Sequence, residues 1–474
     1  MVDPQSRPPL PWTFPLVRLT AGLMLTLFVA AMDSTVVGTS LPTISRQLGD
    51  PALYPWVFSG YLLTSTTTVP LWGRMADAFG RRRVLLFGLA IFVTASVLCG
   101  IAPNMPALIV FRTLQGIGAG CVQPIVFTVV GDTFPIGQRA RLQGVFSSVW
   151  AVAAVVGPAL GALLVSTIGW RWIFGINLPI GIVATLLMWG YREQRPDGGD
   201  RRIEVVGALT LTAGVAVLLW GLGTGSATAT PVWPAAAAGV VLLAVFALWE
   251  RRSRSPTVPL DLLGHRVLGP AITVSMLAGT IMFCVSAYVP LSVQNGLGQS
   301  AYLAGAAVAP MSITWPLSSV LSGFLLLRFG FQPLAVAGSL ALTAGCAMLG
   351  LLSTTPVLIG AGSAVVGAGM GMLSNPILVV IQSSVPWSKR GAATALNQFS
   401  RTIGGAVGVS MFGVLLEARS GTGATGQRLM AGTRLDFLVC MAVALLMCAL
   451  TVTMLLTRYR SADAVDAGRP GASS

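Results

Sequence analysis

An aspartate and an arginine stand inside long apolar stretches, where a charged side chain is costly. Asp33 lies in the stretch 17–37 and Arg112 in the stretch 107–130. An ionised carboxylate at the centre of a membrane helix costs roughly 2.5–3.5 kcal/mol on insertion scales. Binding a proton removes that charge, so a carboxyl group at this depth has the property that proton coupling requires. The alternative is that Asp33 is a structural acid that caps a broken helix.

Arg112 is the expected partner of Asp33, because the two lie at similar depth although they are distant in sequence. The first stretch leads outward with Asp33 near its outer third, and the fourth leads inward with Arg112 near its outer start. Making and breaking this contact would change how readily the carboxylate takes up a proton. A purely structural ion pair is the alternative.

Arg401 is a second deep cation, and the second half of the sequence offers it no clearly deep acid. It could bind backbone carbonyls, line an aqueous cavity or meet an anionic ligand group, and the sequence does not rank these. Glu417 and Asp436 stand at the ends of apolar stretches, so we expect both at the membrane interface.

The composition indicates that these residues sit in membrane helices. The chain has 474 residues, of which 54% are hydrophobic and 9% are charged, and its mean hydropathy is +0.80. Soluble domains carry roughly 25% charged residues. Apolar stretches of this length can cross a hydrocarbon core of roughly 30 Å, and lipid forces them to be helical. We predict fourteen spans, near 17–37, 56–72, 84–102, 107–130, 143–166, 173–190, 203–223, 234–249, 267–290, 301–327, 332–352, 357–381, 391–416 and 435–457.

The basic residues predict the orientation of the spans. With the N-terminus in the cytoplasm, most of the 29 lysine and arginine residues fall on the cytoplasmic side, as the positive-inside rule requires. Both termini are therefore expected in the cytoplasm, and the chain in the cytoplasmic (inner) membrane. The outer side receives only Arg46, Arg171, Arg419, Arg428 and Arg434.

Several function classes are excluded by what the sequence carries. The net charge of +14 is spread over short loops rather than along one stripe, which argues against nucleic acid as a partner. The six cysteines form no CxxC or Cys/His cluster, so no metal site and no cofactor is expected. No phosphate-binding loop of the G-x-x-x-x-G-K-[ST] type appears, and no nucleophile–base set indicates an enzyme.

An internal repeat divides the chain into two halves. Gly116, Gly118 and Gly120 are echoed by Gly367, Gly369 and Gly371 at an offset of about 251 residues. Parallel duplication is typical of transporters, whose substrate path runs between the repeats near the midplane. The sequence predicts an N-terminal segment (1–16), a six-helix bundle (17–190), a linker with two extra spans (191–266), a second six-helix bundle (267–457) and a tail (458–474).

Five motifs in order resemble a known family. The turn at 70–83, the glycine-rich segment 108–120 with Arg112, and the segment 157–161 resemble three signatures of the major facilitator superfamily. The segments 33–42 and 170–181 are similar to the fourteen-helix drug:proton antiporter branch of that superfamily. The resemblance implies a major facilitator fold of two six-helix bundles plus two extra helices. It also implies a monomer and a role for Arg112 in proton transfer.

The turn at 70–83 is implied by the resemblance to act as a conformational latch. In the family this cluster holds the two halves together in the outward-facing state. Glycines there permit tight turns and close helix approach. The alternative is a positive-inside anchor, which the arginine run alone would explain. The residues implied in the latch are Gly73, Arg74, Asp77, Gly80 and Arg81, of which Asp77 is the central one.

The segment 157–161 predicts a pliant kink in the fifth span. Pro158 removes a backbone hydrogen bond, while Gly157 and Gly161 let neighbouring helices approach closely. A kink would suit alternating access, but ordinary close packing would select the same residues.

Candidate substrate contacts mix aromatic, amide and cationic side chains, as adaptable sites for amphipathic ligands do. Aromatic residues at span ends also form interface belts, and amides also join helices. The candidates are Gln115, Gln123, Asn177, Phe283, Tyr288, Trp315, Asn375, Gln382, Asn397, Gln398 and Arg401.

Together these features predict an antiporter that exports hydrophobic or amphipathic small molecules by alternating access, with protons as the coupling ion. An uptake permease on the same fold is a second hypothesis. A lipid-handling or partner-binding membrane protein without proton coupling is a third, and neutralising Asp33 separates it from the first.

Overall fold

The computed structural model describes residues 10–48, 54–191, 205–223, 232–253, 263–421 and 425–456. Over these residues the chain forms sixteen α-helices and no strand. A short π-helical turn (Ser292–Gly296) and a 3-10 turn (Trp387–Lys389) join some of them. The helices are α1 (Phe14–Leu48), α2 (Tyr54–Thr67), α3 (Val69–Phe79), α4 (Arg81–Gly100), α5 (Met105–Thr133), α6 (Ile136–Thr167), α7 (Trp172–Gly175), α8 (Asn177–Met188), α9 (Val205–Gly223), α10 (Val232–Arg252), α11 (Leu268–Leu291), α12 (Ala301–Phe329), α13 (Phe331–Leu351), α14 (Pro356–Ser383), α15 (Arg390–Ser420) and α16 (Gly426–Leu456).

Each predicted span coincides with one helix or with a helix pair. The second span is formed by α2 and α3, which meet at Thr68, and the sixth by α7 and α8. Ten of the described helices are long and apolar enough to cross a membrane. The helical class is thus as predicted, whereas the number of crossings belongs to the proposal below. The predicted tail (458–474), most of the N-terminal segment and the loops of the linker lie outside the described residues.

Both halves use glycines to bring equivalent helices into close contact. A Cβ on Gly116 of α5 would stand 2.5 Å from the carbonyl oxygen of Tyr61 in α2. A Cβ on Gly367 of α14 would stand 2.5 Å from the carbonyl oxygen of Met311 in α12. Since real Cβ atoms cannot approach so closely, these pairs of helices depend on glycine at equivalent positions of the repeat.

Threonine hydroxyls join the same helix pairs. Thr64 donates to the carbonyl of Thr113 at 2.8 Å, and Thr314 donates to the carbonyl of Ala364 at 2.7 Å. Hydroxyl groups that bond across helices supply polar contacts that the hydrophobic effect cannot supply in lipid. The packing of the first half is therefore repeated in the second.

The two bundles meet most extensively along two helix pairs, while α9 and α10 pack on each other. Between α6 and α12, a Cβ on Gly144 would stand 2.6 Å from the Cα of Val320. Between α3 and α15, a Cβ on Gly73 would stand 2.7 Å from the carbonyl oxygen of Gly391. Close backbone contact at both places positions the side chains described next.

Candidate functional site

Asp33 lies in α1 and is almost completely buried, with 1% of its surface exposed. Its Oδ2 lies 2.7 Å from Nη1 of Arg112, and its Oδ1 accepts hydrogen bonds from Gln115 Nε2 at 3.0 Å and from Asn177 Nδ2 at 2.8 Å. The carboxylate thus has three donors from two other helices, α5 and α8. The helix α1 continues beyond the predicted span to Leu48, so Asp33 lies near the middle of the helix.

Arg112 and Gln115 are one helical turn apart on α5, so both face Asp33. Arg112 Nη1 also donates to Gln115 Oε1 at 2.7 Å, and its guanidinium lies 4.1 Å from the ring centroid of Tyr61. Its Nε and Nη2 are buried and have no hydrogen-bond partner among the described residues. The cation is therefore held by one carboxylate, one amide and one aromatic face.

Asn177 begins α8 and links the cluster to α4. Its Nδ2 also donates to the hydroxyl of Ser96 at 2.8 Å, and that hydroxyl donates to the carbonyl of Phe174 at 3.0 Å. Ser96 and Tyr61 were not among the predicted residues, and a serine or tyrosine within an apolar stretch gives no signal of its neighbours. We call Asp33, Arg112, Gln115, Asn177, Ser96 and Tyr61 the Asp33 cluster.

The Gly157 segment packs against α1 beside the Asp33 cluster. A Cβ on Gly157 would stand 2.0 Å from Oγ1 of Thr35, and that hydroxyl donates to the carbonyl of Ala153 at 3.0 Å. Gly161 is buried in the same helix. The helix α6 runs unbroken from Ile136 to Thr167 through Pro158, whose side chain lies outside the described part. Close helix approach is the observed use of Gly157.

Asp77 stands at the end of α3 and binds the start of α15 in the other half. Its Oδ1 accepts from the backbone N–H of Gly391 at 3.0 Å, and its Oδ2 accepts from that of Ala392 at 2.8 Å. These two N–H groups belong to the first turn of α15, which has no acceptors of its own for them. Asp77 therefore caps a helix of the second bundle from the first bundle.

Arg81 joins Asp77 to a second acid. Its Nη2 lies 2.7 Å from Asp77 Oδ1, and its Nε lies 3.0 Å from Asp132 Oδ2. The same Nη2 donates to the carbonyl of Trp387 at 2.9 Å, and the guanidinium lies 3.8 Å from that ring centroid. Arg390 Nη1 lies 3.5 Å from the other oxygen of Asp132. Acidic and basic side chains thus alternate across this contact, and Arg390 is the one that the second bundle contributes.

The remaining predicted latch residues surround Asp77. Gly73 allows α3 and α15 to touch, and Gly80 has a φ of +97°, which lets α3 turn into α4. Arg74 lies half-buried on α3. Asp132, Trp387 and Arg390 were not predicted, because the motif of the first half does not reveal which residues of the second half it meets. We call Asp77, Arg81, Asp132, Trp387, Arg390 and the amides of Gly391 and Ala392 the inter-bundle latch.

Most predicted substrate contacts have structural partners. Gln115 and Asn177 belong to the Asp33 cluster. Asn375 Nδ2 donates to the carbonyl of Ser319 at 2.8 Å, and Gln382 Nε2 donates to the carbonyl of Phe127 at 3.0 Å. Gln382 therefore connects the bundles rather than facing an open site.

The other candidates fall into two groups. Tyr288 donates its hydroxyl to the carbonyl of Val409 at 2.6 Å, Phe283 lies against Gly405, and Gln123 is half-buried. The second group lies around one small cavity in the second bundle or beside it, and consists of Trp315, Asn397, Gln398 and Arg401.

Asp436, which we expected at the membrane interface, is buried within the second bundle. Asp436 is only 1% exposed, and neither carboxylate oxygen has a hydrogen-bond partner among the described residues. The helix α16 begins at Gly426, well before the predicted start of the span at 435. Asp436 therefore lies about three turns inside a helix rather than at its end.

Two related helical bundles joined by a polar latch, with a buried acid–base pair inside one of them, define a polytopic membrane transporter. A model of the Major Facilitator Superfamily matches residues 23–409, and the chain belongs to that family. Membership makes it a transporter rather than an enzyme.

The similar proteins are transporters by name. The chain is 36% identical over 409 residues to the multidrug transporter protein MdtP of Bacillus subtilis (strain 168), covering 85% of this chain and 76% of that one. It is 30% identical over 400 residues to multidrug resistance protein 3 of the same organism, covering 83% and 78%. The solved structure of the proton:xylose symporter XylE has the same fold, with a TM-score of 0.68 at 15% identity, covering 92% of this chain and 95% of that one.

Proposed function

We propose that this chain is a proton-coupled antiporter that exports hydrophobic or amphipathic small molecules by alternating access. The observation that carries the proposal is the Asp33 cluster, in which a buried carboxylate and a buried guanidinium from different helices neutralise each other at 2.7 Å. The relatives named as multidrug transporters support export of such compounds.

The chemistry of the cluster explains how a proton would change the structure. Ionised Asp33 offers two acceptor oxygens to Arg112, Gln115 and Asn177. A proton on Asp33 removes its charge and leaves Arg112 uncompensated in the apolar interior. Removing one partner of a buried pair typically costs about 3–5 kcal/mol. The helices α1 and α5 must therefore shift until Arg112 reaches water or another acceptor.

The helix α5 connects the cluster to the latch. Arg112 stands near one end of it and Asp132 near the other, about 30 Å away at 1.5 Å per residue. A tilt of α5 that follows protonation would pull Asp132 away from Arg81 and Arg390. Breaking those pairs and the cap by Asp77 would open this end of the molecule, as a rocking transition between two bundles requires.

The energetics and the placement of basic residues complete the proposal. One proton that crosses 100 mV supplies roughly 2.3 kcal/mol, to which a pH gradient adds. The chain would act as a monomer in the cytoplasmic membrane, with fourteen crossings, both termini in the cytoplasm and the latch on the cytoplasmic side. Protons would be the coupling ion, with no metal or cofactor.

Transport in energised inverted vesicles tests the proposal. A dye that reports internal pH should show proton release when a lipophilic substrate is added to vesicles with the wild-type chain, and none with Asp33→Asn. Glu417→Gln is the matched control, because Glu417 is a half-buried carboxyl outside the Asp33 cluster. This variant should release protons as the wild type does. Equal proton release by the wild type and by Asp33→Asn would refute coupling through Asp33.

A lipid-handling protein or a metabolite permease on the same scaffold is the alternative. Its movement of substrate would not depend on the charge of Asp33. Full function of Asp33→Asn in cells, at matched expression, would favour that alternative over the antiporter.

A further inference from the structure

Arg401 is the second arginine that lies deep within a predicted span, and it makes no ion pair among the described residues. It stands three turns after the start of α15. Its Nη2 donates to Gln398 Oε1 at 2.6 Å, and its guanidinium lies 5.9 Å from the ring centroid of Trp315. Arg401 is half-buried, whereas Arg112 is fully buried and has a carboxylate at 2.7 Å. A cation in an apolar interior is normally compensated by an anion, because its desolvation is costly.

The repeat shows which residue stands where a compensating acid would. The residue of the second half that lies 250 positions after Asp33 is Phe283, and its ring packs against Gly405, one turn beyond Arg401. Glu417 lies on the same helix but about 24 Å further along. Asp436 is also buried in the second bundle, but it forms no hydrogen bond or salt bridge with Arg401. At the position equivalent to Asp33, the second bundle therefore has an aromatic ring in place of the acid.

A small cavity adjoins this cation. Its polar lining comes from Ser275 of α11, Ser374 of α14, and Asn397 and Arg401 of α15, and the rest of the lining is aliphatic. Ser275 donates to Asn397 Oδ1 at 2.5 Å. The Nδ2 of Asn397 then remains a donor with no partner among the described residues, as does the buried Nε1 of Trp315.

Donors thus outnumber acceptors around this cavity. Arginine, the amide nitrogen of asparagine and the indole nitrogen of tryptophan can only donate. A planar guanidinium matches a carboxylate in geometry and binds it more strongly than it binds a neutral acceptor. The cavity has a volume of only about 20 Å³, which suits a small polar group such as a carboxylate. The apolar part of such a ligand would lie outside the cavity, on the side of Trp315. Asp33, by contrast, already binds three donors and offers no free face to a cationic substrate.

We propose that Arg401, assisted by Asn397 and Trp315, binds the carboxylate of an amphipathic organic anion in the cavity between α11, α14 and α15. This inference rests on the proposed export function, whose substrate class it specifies. Within the hydrophobic or amphipathic compounds of that proposal, it specifies lipophilic acids.

Equilibrium binding to the purified chain in phosphatidylcholine nanodiscs tests the inference, because these contain no anionic lipid headgroups. The probes are naproxen, its carboxamide and the primary amine of the same skeleton, which share an aromatic body and differ in charge. We expect naproxen to bind best. Arg401→Gln should weaken naproxen binding by about tenfold or more and leave the carboxamide within twofold.

Three further variants separate charge from packing. Arg401→Lys keeps the charge but not the planar guanidinium, so its affinity for naproxen should lie between those of the wild type and Arg401→Gln. Trp315→Phe keeps an aromatic ring and removes the indole donor, so its affinity for naproxen should fall by a few-fold. Arg419→Gln, at an exposed position on the same helix, should bind naproxen as the wild type does. Size-exclusion profiles establish that each variant is folded.

Two results would overturn the inference. One is equal affinity for naproxen and its carboxamide, or no naproxen binding at all. The other is an equal loss of both probes in Arg401→Gln. Binding needs no proton gradient. If naproxen binding depends on Arg401 but proton coupling is not found, the result counts against the proposed function alone. Proton-driven export of compounds irrespective of their charge would count against this inference alone.

Discussion

The carboxylate of Asp77 accepts a hydrogen bond from the backbone N–H of Gly391, 314 residues further along the chain, at 3.0 Å. Its other oxygen binds the N–H of Ala392 at 2.8 Å. An anion at a helix N-terminus is stabilised by unpaired N–H groups and by the helix dipole. Here the anion and the helix belong to different bundles, so separation of the bundles at this end exposes both. The cap would therefore be lost in any arrangement in which the bundles separate at this end.

Asp77→Asn should weaken the closed arrangement at the latch. The amide can still offer one oxygen to an N–H group, but it loses the charge that pairs with Arg81. Loss of such a cap typically costs about 0.5–2 kcal/mol. Backbone hydrogen exchange at 390–396 should therefore become faster, and proton-driven transport slower.

Arg83→Gln is the control for Asp77→Asn. It removes an exposed charge of the same arginine run and should leave hydrogen exchange at 390–396 unchanged. If instead both variants change exchange equally, the turn acts only as a charged anchor.

Gly73→Ala should prevent full closure at the latch. The added Cβ would stand 2.4 Å from Cβ of Ala395 and 2.7 Å from the carbonyl oxygen of Gly391, and backbone cannot yield easily. We expect transport to fall by at least tenfold while the protein still folds. Gly305→Ala in α12 meets nothing within 4 Å and should transport normally. Normal transport by Gly73→Ala would show that the contact is not needed for the cycle.

The charges of Asp33 and Arg112 should stabilise the fold only as a pair. Arg112→Gln leaves a buried carboxylate without its cation, which typically costs about 3–5 kcal/mol. The double variant Asp33→Asn with Arg112→Gln removes both charges and should recover most of the lost thermal stability, but no proton coupling. Thermal unfolding in detergent measures the first effect. Additive destabilisation in the double variant would argue against a compensating pair.

The sequence predicted the helices, the repeat and the meeting of Asp33 with Arg112 because each leaves a local signal. Long apolar stretches force helices in lipid, and a deep acid requires a deep base. The amides Gln115 and Asn177 were grouped with substrate contacts, although both bind Asp33. An amide can pair with many partners, so its type and position do not identify the one it has.

The contacts between the bundles could not be predicted from the sequence for a related reason. Asp132, Trp387 and Arg390 belong to the latch because two distant segments meet there, and no periodicity within either segment reports the meeting. The start of α16 at Gly426, before the predicted start of the span at 435, was also missed. Hydropathy reports the lipid-facing part of a helix and misses a polar first turn.

The central claim is that Asp33 couples protons to transport but is not needed to move substrate. Two assays on the same proteoliposomes of wild type and Asp33→Asn test it most directly: accumulation driven by a pH gradient, and exchange of labelled for unlabelled substrate without a gradient. The account predicts that Asp33→Asn loses driven accumulation and keeps exchange. Driven accumulation that survives in Asp33→Asn, or exchange that is lost together with it, would contradict the claim.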